Sequence, residues 1–255
     1  MSETPGADPA ARRRPGPAGT RFCEVHRFEE LDSTNGYLLD MARAGGVEGL
    51  VAVAGHQRAG RGRRGRRWEA PPGTGLLLSV LLRPRLDHGD LHLVTVAVAL
   101  AARSTCLEVG VAPRLKWPND LVAEDRKLAG ILAESPAPPV VVVGMGLNVS
   151  WSPPGATSLV AEGGHPPAPA DLVDPFLLAL EPRLAALGSP EGRHETMARY
   201  RALSATLGRR VSVELPGETL RGRAVDVDDS GHLLLDVDGA RRTVTAGDVV
   251  HLRDH

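Results

Sequence analysis

Residues 60–68 read Gly-Arg-Gly-Arg-Arg-Gly-Arg-Arg-Trp, and this stretch decides between two kinds of fold. It holds five arginines and three glycines, although the formal net charge of the 255-residue chain is only -1. The positive charge is therefore local. Arginine offers a planar fork of donors to phosphate or carboxylate oxygens, and glycine lets backbone N–H groups approach an anion. The stretch is typical of a loop that clamps a phosphorylated ligand, or of a solvated basic loop that binds nucleic acid weakly.

The glycine spacing in this stretch also matches G-x-G-x-x-G, the fingerprint of dinucleotide-binding folds. That fingerprint requires a strand before it and a helix that begins inside it. Residues 50–54 can supply the strand. The residues that follow Trp68 read Glu-Ala-Pro-Pro-Gly-Thr-Gly, and they break any helix. The sequence therefore excludes a Rossmann fold.

The composition favours a cytoplasmic protein with an aliphatic core. Hydrophobic residues make up 42% of the chain and aromatic residues only 3%, so the core must consist of Leu, Val and Ala. The two cysteines, Cys23 and Cys106, have no metal-binding spacing, which favours a reducing compartment. The N-terminus lacks the apolar region of a signal peptide, and the longest apolar stretch, residues 93–102, is too short to span a bilayer. We predict no membrane association.

The sequence divides into three regions. Residues 1–20 are rich in Pro, Gly, Ala and Arg without periodicity, and we expect them to be disordered. Residues 21–208 mix strand and helix patterns, which predicts an α/β (α+β) domain with partly antiparallel strands. Residues 209–255 contain five short alternating runs separated by turn signals, at residues 211–215, 220–227, 233–237, 241–245 and 249–252, which predicts a small β-barrel.

Strand and helix patterns can be placed along the middle region. Apolar or alternating runs predict strands at residues 23–30, 50–57, 76–83, 113–117, 121–123, 127–134 and 140–147. Helical spacing predicts helices that begin near residues 33, 91, 174 and 191, and the last of them is expected to run to residue 207. We expect Asp90 to cap the second helix. Ser33 or Thr34 can cap the first by accepting from its free N–H groups, or can bind a ligand.

Five motifs, taken together, resemble the biotin–protein ligase family. They are Asp-Ser-Thr-Asn at 32–35, His-Gln-Arg-Ala-Gly-Arg-Gly-Arg-Arg-Gly at 56–65, Lys-Trp-Pro-Asn-Asp at 116–120, Lys-Leu-Ala-Gly-Ile-Leu-Ala-Glu at 127–134 and Gly-Met-Gly-Leu-Asn-Val at 144–149. They occur in the family's order over residues 25–148. The resemblance implies the mixed-sheet catalytic domain of the biotin/lipoate ligase type, followed by an SH3-like barrel.

The resemblance also implies a reaction. ATP and biotin give biotinyl-5'-AMP and pyrophosphate, and the biotinyl group then passes to one lysine of a biotin carboxyl carrier domain of acetyl-CoA or propionyl-CoA carboxylase. In the first step two anions must meet, so fixed cations and Mg²⁺ must neutralise their repulsion. Lys127 is the expected central cation because it opens a strand, with Arg61 and Arg63 beside it.

The resemblance assigns further residues to the two substrates. Biotin-binding residues are expected to be Ser33, Thr34, Asn35, Gln57, Arg61, Gly62, Arg63, Lys127 and Gly130. Residues expected around ATP or the adenylate are Gly60, Arg61, Arg63, Arg64, Trp68, Lys116, Asn119, Asp120, Lys127 and Asn148. Asp120 is a candidate Mg²⁺ ligand or base. Trp68 either stacks on adenine or anchors the loop.

Three alternative functions remain open on the sequence. A lipoate or octanoate ligase shares this fold and chemistry. A biotin-sensing DNA repressor would carry an N-terminal winged helix, and residues 1–20 are too short and too rich in proline to form one. We therefore expect no sequence-specific DNA binding. The third alternative is a non-catalytic store of biotin or its adenylate.

Overall fold

The computed structural model describes residues 11–215, 217–245 and 247–252, and its largest element is an eight-stranded mixed sheet. The strands are β1 (Arg12–Pro15), β2 (Glu24–Leu31), β3 (Leu50–Gln57), β4 (Gly75–Leu82), β5 (Arg114–Lys116), β6 (Asp120–Ala123), β7 (Arg126–Glu134) and β8 (Val141–Asn148). Their order in the sheet is β1-β2-β3-β4-β8-β7-β6-β5. Strands β2 and β3 are parallel, and the other neighbouring pairs are antiparallel.

Helices cover both faces of this sheet. Helix α1 (Thr34–Arg43) packs on β3, β4 and β8 from one side. Helix α2 (His92–Glu108) packs on β6, β7 and β8 from the other, and α3 (Val173–Ala186) and α4 (Pro190–Ala202) pack against α2. Strand β4 is buried at every residue, as its apolar run predicts for a strand covered on both faces.

Serine 79 is the polar exception in β4. Leu76, Leu78 and Val80 join the main core on the α2 side, whereas Leu81 packs in the smaller cluster beneath α1. Because side chains alternate along a strand, Ser79 lies on the α1 side with Leu81. The α1 side is therefore the side on which a buried polar group is available.

Helix ends differ from the predicted ones where tertiary contacts intervene. Ser33 caps α1 as expected, because its hydroxyl accepts from the Gly36 N–H at 3.3 Å. Asp90 does not cap α2: the helix starts one residue after Leu91 without a side-chain cap, and it runs to Glu108. Helix α4 ends at Ala202, short of the expected residue 207, because the following residues leave the helix and pair with Leu115 of β5.

Strand β1 corrects the expectation that residues 1–20 are disordered. Residues 1–10 lie outside the described residues, but Arg12–Pro15 form an antiparallel ladder with β2. Arg14 Nη2 also lies 2.5 Å from Asp174 Oδ1. Its sequence, Arg-Arg-Arg-Pro, has no apolar alternation, and Arg12 and Arg14 pair with residues distant in the chain. No local signal therefore predicts this strand.

The C-terminal domain is a five-stranded antiparallel sheet. It consists of β9 (Arg210–Leu215), β10 (Glu218–Val227), β11 (Leu233–Val237), β12 (Ala240–Val244) and β13 (Asp248–His251), in the order β12-β11-β10-β9-β13. Its apolar face continues the main core. Trp117 joins the two sheets, since its backbone N–H donates to Thr206 and its Nε1 to the Gly231 carbonyl. Among the described residues, none of the helices is both long and apolar enough to cross a membrane.

Candidate active site

One cavity opens on the α1 side of the large sheet, between residues 60–68 and the C-terminal domain. Thirteen of the residues expected from the sequence line it: Ser33, Thr34, Asn35, Gln57, Arg61, Gly62, Arg63, Trp68, Lys116, Asn119, Asp120, Lys127 and Gly130. These residues come from widely separated parts of the chain. All of them except Trp68 belong to four of the five motifs, so the fold brings four motifs to one cavity. Gly144 and Gly146, which belong to the fifth motif, also line this cavity.

The floor of the cavity is backbone without side chains. Gly130 of β7 and Gly146 of β8 are direct partners in the ladder. A Cβ on Gly146 would lie 2.3 Å from Trp68 Cε2, and one on Gly130 would lie 3.1 Å from Trp68 Cζ3. The indole thus rests on the two glycines, and Trp68 anchors the loop in this structure. Its Nε1 is buried without a hydrogen-bond partner among the described residues.

A β-bulge turns Lys127 toward the same floor. Val122 pairs with Lys127 and Leu121 with Ala129, so Leu128 is an extra residue in β7. The bulge puts Lys127 and Gly130, three residues apart, on one face, and the Lys127 Nζ lies 3.0 Å from the position of a Cβ on Gly130. Lys127 Nζ also lies 2.8 Å from Asp120 Oδ1 and 5.6 Å from the centroid of the Trp68 ring.

The arginine loop is a small hairpin. Gly62 N donates to Arg66 O at 2.7 Å, Trp68 N donates to Gly60 O at 3.0 Å, and Arg61 and Arg67 form a β-bridge. We call residues 60–68 the arginine hairpin. Its two arms place Arg61 opposite Arg67, and Gly60 opposite Trp68.

The tip of the arginine hairpin touches the C-terminal domain. Arg63 Nη1 donates to the Asn119 side chain at 3.2 Å and lies 3.4 Å from the Gly247 carbonyl. Arg64 Nη1 donates to the Glu214 carbonyl at 3.2 Å, and Arg64 has the left-handed φ of 55°. Both domains therefore hold the hairpin over the cavity.

The polar end of the cavity lies at the start of α1. Gln57 Oε1 accepts from the Thr34 N–H at 2.8 Å and from the Thr34 hydroxyl at 3.1 Å. These bonds fix the Gln57 amide, whose Nε2 lies 3.3 Å from the position of a Cβ on Gly60. Ser33, Thr34 and Asn35 are all buried. This end can match a compact ligand that has both donors and acceptors.

Asn35 is committed to the protein. Its Oδ1 accepts from the Ser79 hydroxyl at 2.6 Å, and its Nδ2 lies 3.2 Å from the Leu132 carbonyl. Gly144 leaves the space for this side chain, because a Cβ there would lie 2.2 Å from Asn35 Oδ1. Asn35 is consequently placed to support the cavity wall.

The cavity is strongly positive. Six cationic residues line it, and Asp120 is the one carboxylate among its lining residues. Burial raises the pKa of the Tyr200 hydroxyl on α4 above its usual range, and the negative charge of Asp120 raises this pKa further. An excess of fixed cations over a glycine floor suits a ligand with several anionic oxygens.

Three expected residues do not reach the cavity lining. Gly60 supports the hairpin, where a Cβ would lie 2.2 Å from Trp68 O. Arg64 is turned onto Glu214 of the C-terminal domain. Asn148 is buried and donates to the Thr157 carbonyl at 2.8 Å.

Ten further residues line the cavity, and the sequence predicted no ligand-binding role for them: Arg66, Arg67, Trp117, Pro118, Ile131, Leu132, Gly144, Met145, Gly146 and Val249. The Gly-Met-Gly spacing in β8 is the signal that could have revealed the second glycine of the floor. Val249 carries no such signal, because it reaches the cavity from the C-terminal domain.

Asp120 is the one carboxylate among the cavity-lining residues that could bind a metal ion. Its carboxylate lies against Lys127, and the described residues contain no group of three His, Cys, Asp or Glu that could hold a metal. Mg²⁺ commonly uses one or two carboxylates together with substrate phosphates and water. The donor set therefore fits a magnesium ion that arrives with a nucleotide, with Asp120 as a single protein ligand.

Comparisons with known proteins give matches over both domains of the chain. Residues 28–148 match the biotin/lipoate A/B protein ligase family, and residues 206–252 match the biotin protein ligase C-terminal domain. The chain is 42% identical over 247 residues to the biotin–[acetyl-CoA-carboxylase] ligase of Mycobacterium tuberculosis, covering 92% of each chain. The chain belongs to the biotin protein ligase family.

Solved structures of biotin protein ligases share the fold. The Aquifex aeolicus enzyme, in complex with biotin and ATP, superposes with a TM-score of 0.77 at 24% identity, over 90% of this chain and 99% of that one. The Leishmania major biotin protein ligase, in complex with biotinyl-5-AMP, has a TM-score of 0.62 at 27% identity, over 87% of this chain and 98% of that one. The mixed sheet with an all-β C-terminal domain is thus the family's architecture.

Proposed function

We propose that this biotin protein ligase family member activates biotin with ATP to biotinyl-5'-AMP and transfers the biotinyl group to a lysine of a biotin carboxyl carrier domain. One observation carries the proposal: a single cavity joins a polar end at Thr34 and Gln57 to a cationic end at Lys127, across a floor of two glycines. Biotin has a polar ureido ring at one end and a carboxylate at the other.

In the first step the biotin carboxylate oxygen attacks the α-phosphorus of ATP, and pyrophosphate leaves with the electron pair of the broken P–O bond. Lys127 is the residue proposed to hold the carboxylate and α-phosphate together. Its position on β7 and its contact with Asp120 keep its ammonium group in the cavity. Preorganised cations of this kind stabilise charge that develops in the transition state.

Arg61 and Arg63 are proposed to bind the phosphate and carboxylate oxygens from above. Arg63 is already fixed between Asn119 and the C-terminal domain, so its position does not depend on the hairpin alone. Lys116 is the last residue of β5 and Asn119 lies in the turn between β5 and β6, and both line the cavity. Indirect contributions, through the hairpin and the neighbouring strand, are proposed for Gly60, Arg64 and Asn148.

The ureido ring of biotin is proposed to bind at the start of α1. Its two N–H groups and its carbonyl require acceptors and donors that are fixed in place, which Ser33, Thr34 and Gln57 provide. Gly62, in the arginine hairpin, and Gly130, in the floor, line the cavity without side chains, so they are proposed to let the ligand approach the backbone.

In the second step the carrier lysine attacks the carbonyl carbon of the mixed anhydride, an amide bond forms, and AMP leaves. Bound Mg²⁺ would neutralise phosphate charge in the first step, with Asp120 as its proposed protein ligand. The partner is proposed to be the carrier domain of acetyl-CoA or propionyl-CoA carboxylase, in the cytoplasm, without sequence-specific DNA binding.

The decisive experiment is ATP-dependent labelling of a purified carrier domain with biotin. Wild-type protein is expected to label one carrier lysine and to support biotin-dependent exchange of pyrophosphate into ATP. Absence of both activities in folded protein would reject the proposal. Exchange without transfer would restrict the function to adenylate formation.

The same assay separates biotin from lipoate or octanoate. Those acids have the carboxylate but lack the ureido ring, so they would leave the donors and acceptors at Thr34 and Gln57 without partners. We expect biotin to be preferred by at least about 100-fold in kcat/KM, and equal rates would favour the lipoate alternative.

A further inference from the structure

Glu134 connects the arginine hairpin to the rigid part of the site. It lies at the last residue of β7, and its Oε1 is 3.0 Å from Arg61 Nη2. Its other oxygen, Oε2, accepts from Asn35 Nδ2 at 2.8 Å. One carboxylate therefore contacts both the hairpin and the first turn of α1.

The α1 side of this connection is buried and hydrogen-bonded. Asn35 is 4% exposed, and its two side-chain groups are fixed by the buried Ser79 hydroxyl and the Leu132 carbonyl. Because Asn35 donates to Glu134, it sets the orientation of the carboxylate. Glu134 then presents a fixed negative charge to the hairpin.

On the hairpin side, Arg61 is the residue that contacts Glu134. Arg61 is paired with Arg67 across the hairpin, so fixing Arg61 also fixes the strand that carries Trp68. The tip is held differently, through contacts of Arg63 and Arg64 with carbonyl groups of the C-terminal domain. The Arg61–Glu134 contact is the charge pair at the base of the hairpin, with side chains 48% and 22% exposed.

We propose that Glu134 is a positioning residue that latches the arginine hairpin closed by holding Arg61, and that Asn35 orients it. The latch lowers the rate at which the hairpin opens, so it protects a bound reactive intermediate from water. This consequence for the intermediate rests on the proposed function; the latch itself does not.

Trypsin provides a test that needs no ligand, because the hairpin contains five arginines. In Glu134→Gln the side chain keeps its length and an oxygen acceptor for Asn35, but it loses the charge. We expect the initial rate of cleavage within residues 61–67, followed by mass spectrometry, to rise about fivefold.

Glu181→Gln is the matched control: Glu181 is 23% exposed and pairs with Arg21 outside the cavity. It should leave hairpin cleavage unchanged. Cleavage of Glu134→Gln at the wild-type rate would overturn the proposal.

A double-mutant cycle separates a latch from a merely structural role. If Glu134 acts through Arg61, then adding Glu134→Gln to Arg61→Met should not raise cleavage further. An additional rise of the same size in the Arg61→Met background would assign the effect to Asn35 or to the strand, and would overturn the proposal.

The release rate of preformed biotinyl-5'-AMP is the functional measurement. It should rise about fivefold in Glu134→Gln and remain at the wild-type value in Glu181→Gln. If wild-type protein forms no adenylate, the proposed function fails while the trypsin result still decides the latch. If adenylate forms but its release is the same in Glu134→Gln, the latch has no role in retention and this part of the proposal is rejected.

Discussion

Gly130 and Gly146 face each other across β7 and β8, and the Trp68 indole lies over both. An aromatic ring can approach backbone this closely only where side chains are missing. The pair makes a flat surface that either the indole or a ring-shaped ligand can cover. The loop and the floor of the site are thus matched in shape.

Gly146→Ala should separate Trp68 from the floor. The new Cβ would lie 2.3 Å from Cε2 of the indole, so the ring must move outward and the arginine hairpin with it. We expect the Kd for biotin, measured by titration calorimetry, to rise at least about tenfold, while the melting temperature changes little because the methyl group faces the cavity. Gly89→Ala is the control, since among the described residues no atom beyond its two chain neighbours lies within 4 Å of its added Cβ. Unchanged affinity in Gly146→Ala would show that the indole does not need the floor.

Lys127→Ala should abolish most adenylate formation. Its ammonium group is held by Asp120 on the site side of the β7 bulge, where it can stabilise charge in the transition state. Removing one such group typically costs about 10²–10³ in rate. We expect that loss in biotin-dependent pyrophosphate exchange. Arg126→Ala, the neighbouring cation, which pairs with Glu162 instead, should exchange at close to the wild-type rate. A loss of equal size in both variants would argue against a specific role for Lys127.

Much of the fold could be predicted because its strands are apolar on one or both faces. The predicted strand at residues 50–57 coincides with β3 and the predicted run at residues 233–237 with β11. Burial of β4 on both faces also followed from its composition. Such patterns are local, so they are visible without knowledge of the partners.

The parts that sequence did not reveal depend on distant partners. Strand β1 exists because β2 and Asp174 receive it. The bulge that turns Lys127 into the cavity is a property of the pairing between β6 and β7. Glu134 lay within a recognised motif, but its connection of Asn35 to Arg61 appears only when α1 and the hairpin are placed around β7.

Ser79→Ala tests the buried support of the polar end. Ser79 is fully buried, and its hydroxyl donates to Asn35 Oδ1. The variant would leave a buried acceptor without its donor, which costs about 1–3 kcal/mol. We expect a loss of that size in the free energy of unfolding, measured in urea. Thr105→Val is the comparison, because the Thr105 hydroxyl bonds to a carbonyl of its own helix and should cost less. Equal losses in the two variants would mean that the Ser79–Asn35 bond contributes no more to stability than the bond of Thr105 within its own helix.

His251 is held neutral at the junction of the two domains. Its Nδ1 lies 3.3 Å from Arg209 Nη1, and because arginine can only donate, Nδ1 must accept. Its Nε2 lies 3.2 Å from Thr206 Oγ1, to which the Nε2–H can donate. Burial first, and then the charges of Lys116 and Arg209, lower the pKa of His251 to about 4, although Asp125 opposes this shift.

The lowered pKa of His251 predicts a specific acid sensitivity. Unfolded, this histidine titrates near 6.5, so between that pH and about 4 the unfolded chain binds a proton that the folded protein excludes. The free energy of unfolding should therefore fall as the pH is lowered through this window, by about 2 kcal/mol between pH 7 and pH 5. In His251→Gln, which cannot titrate, the fall should be smaller by that amount. A remaining fall is expected because burial also lowers the pKa of His92, which acts with the same sign. Urea titrations at pH 7 and pH 5 measure both proteins, and an identical fall in the two would rule out His251 as its source.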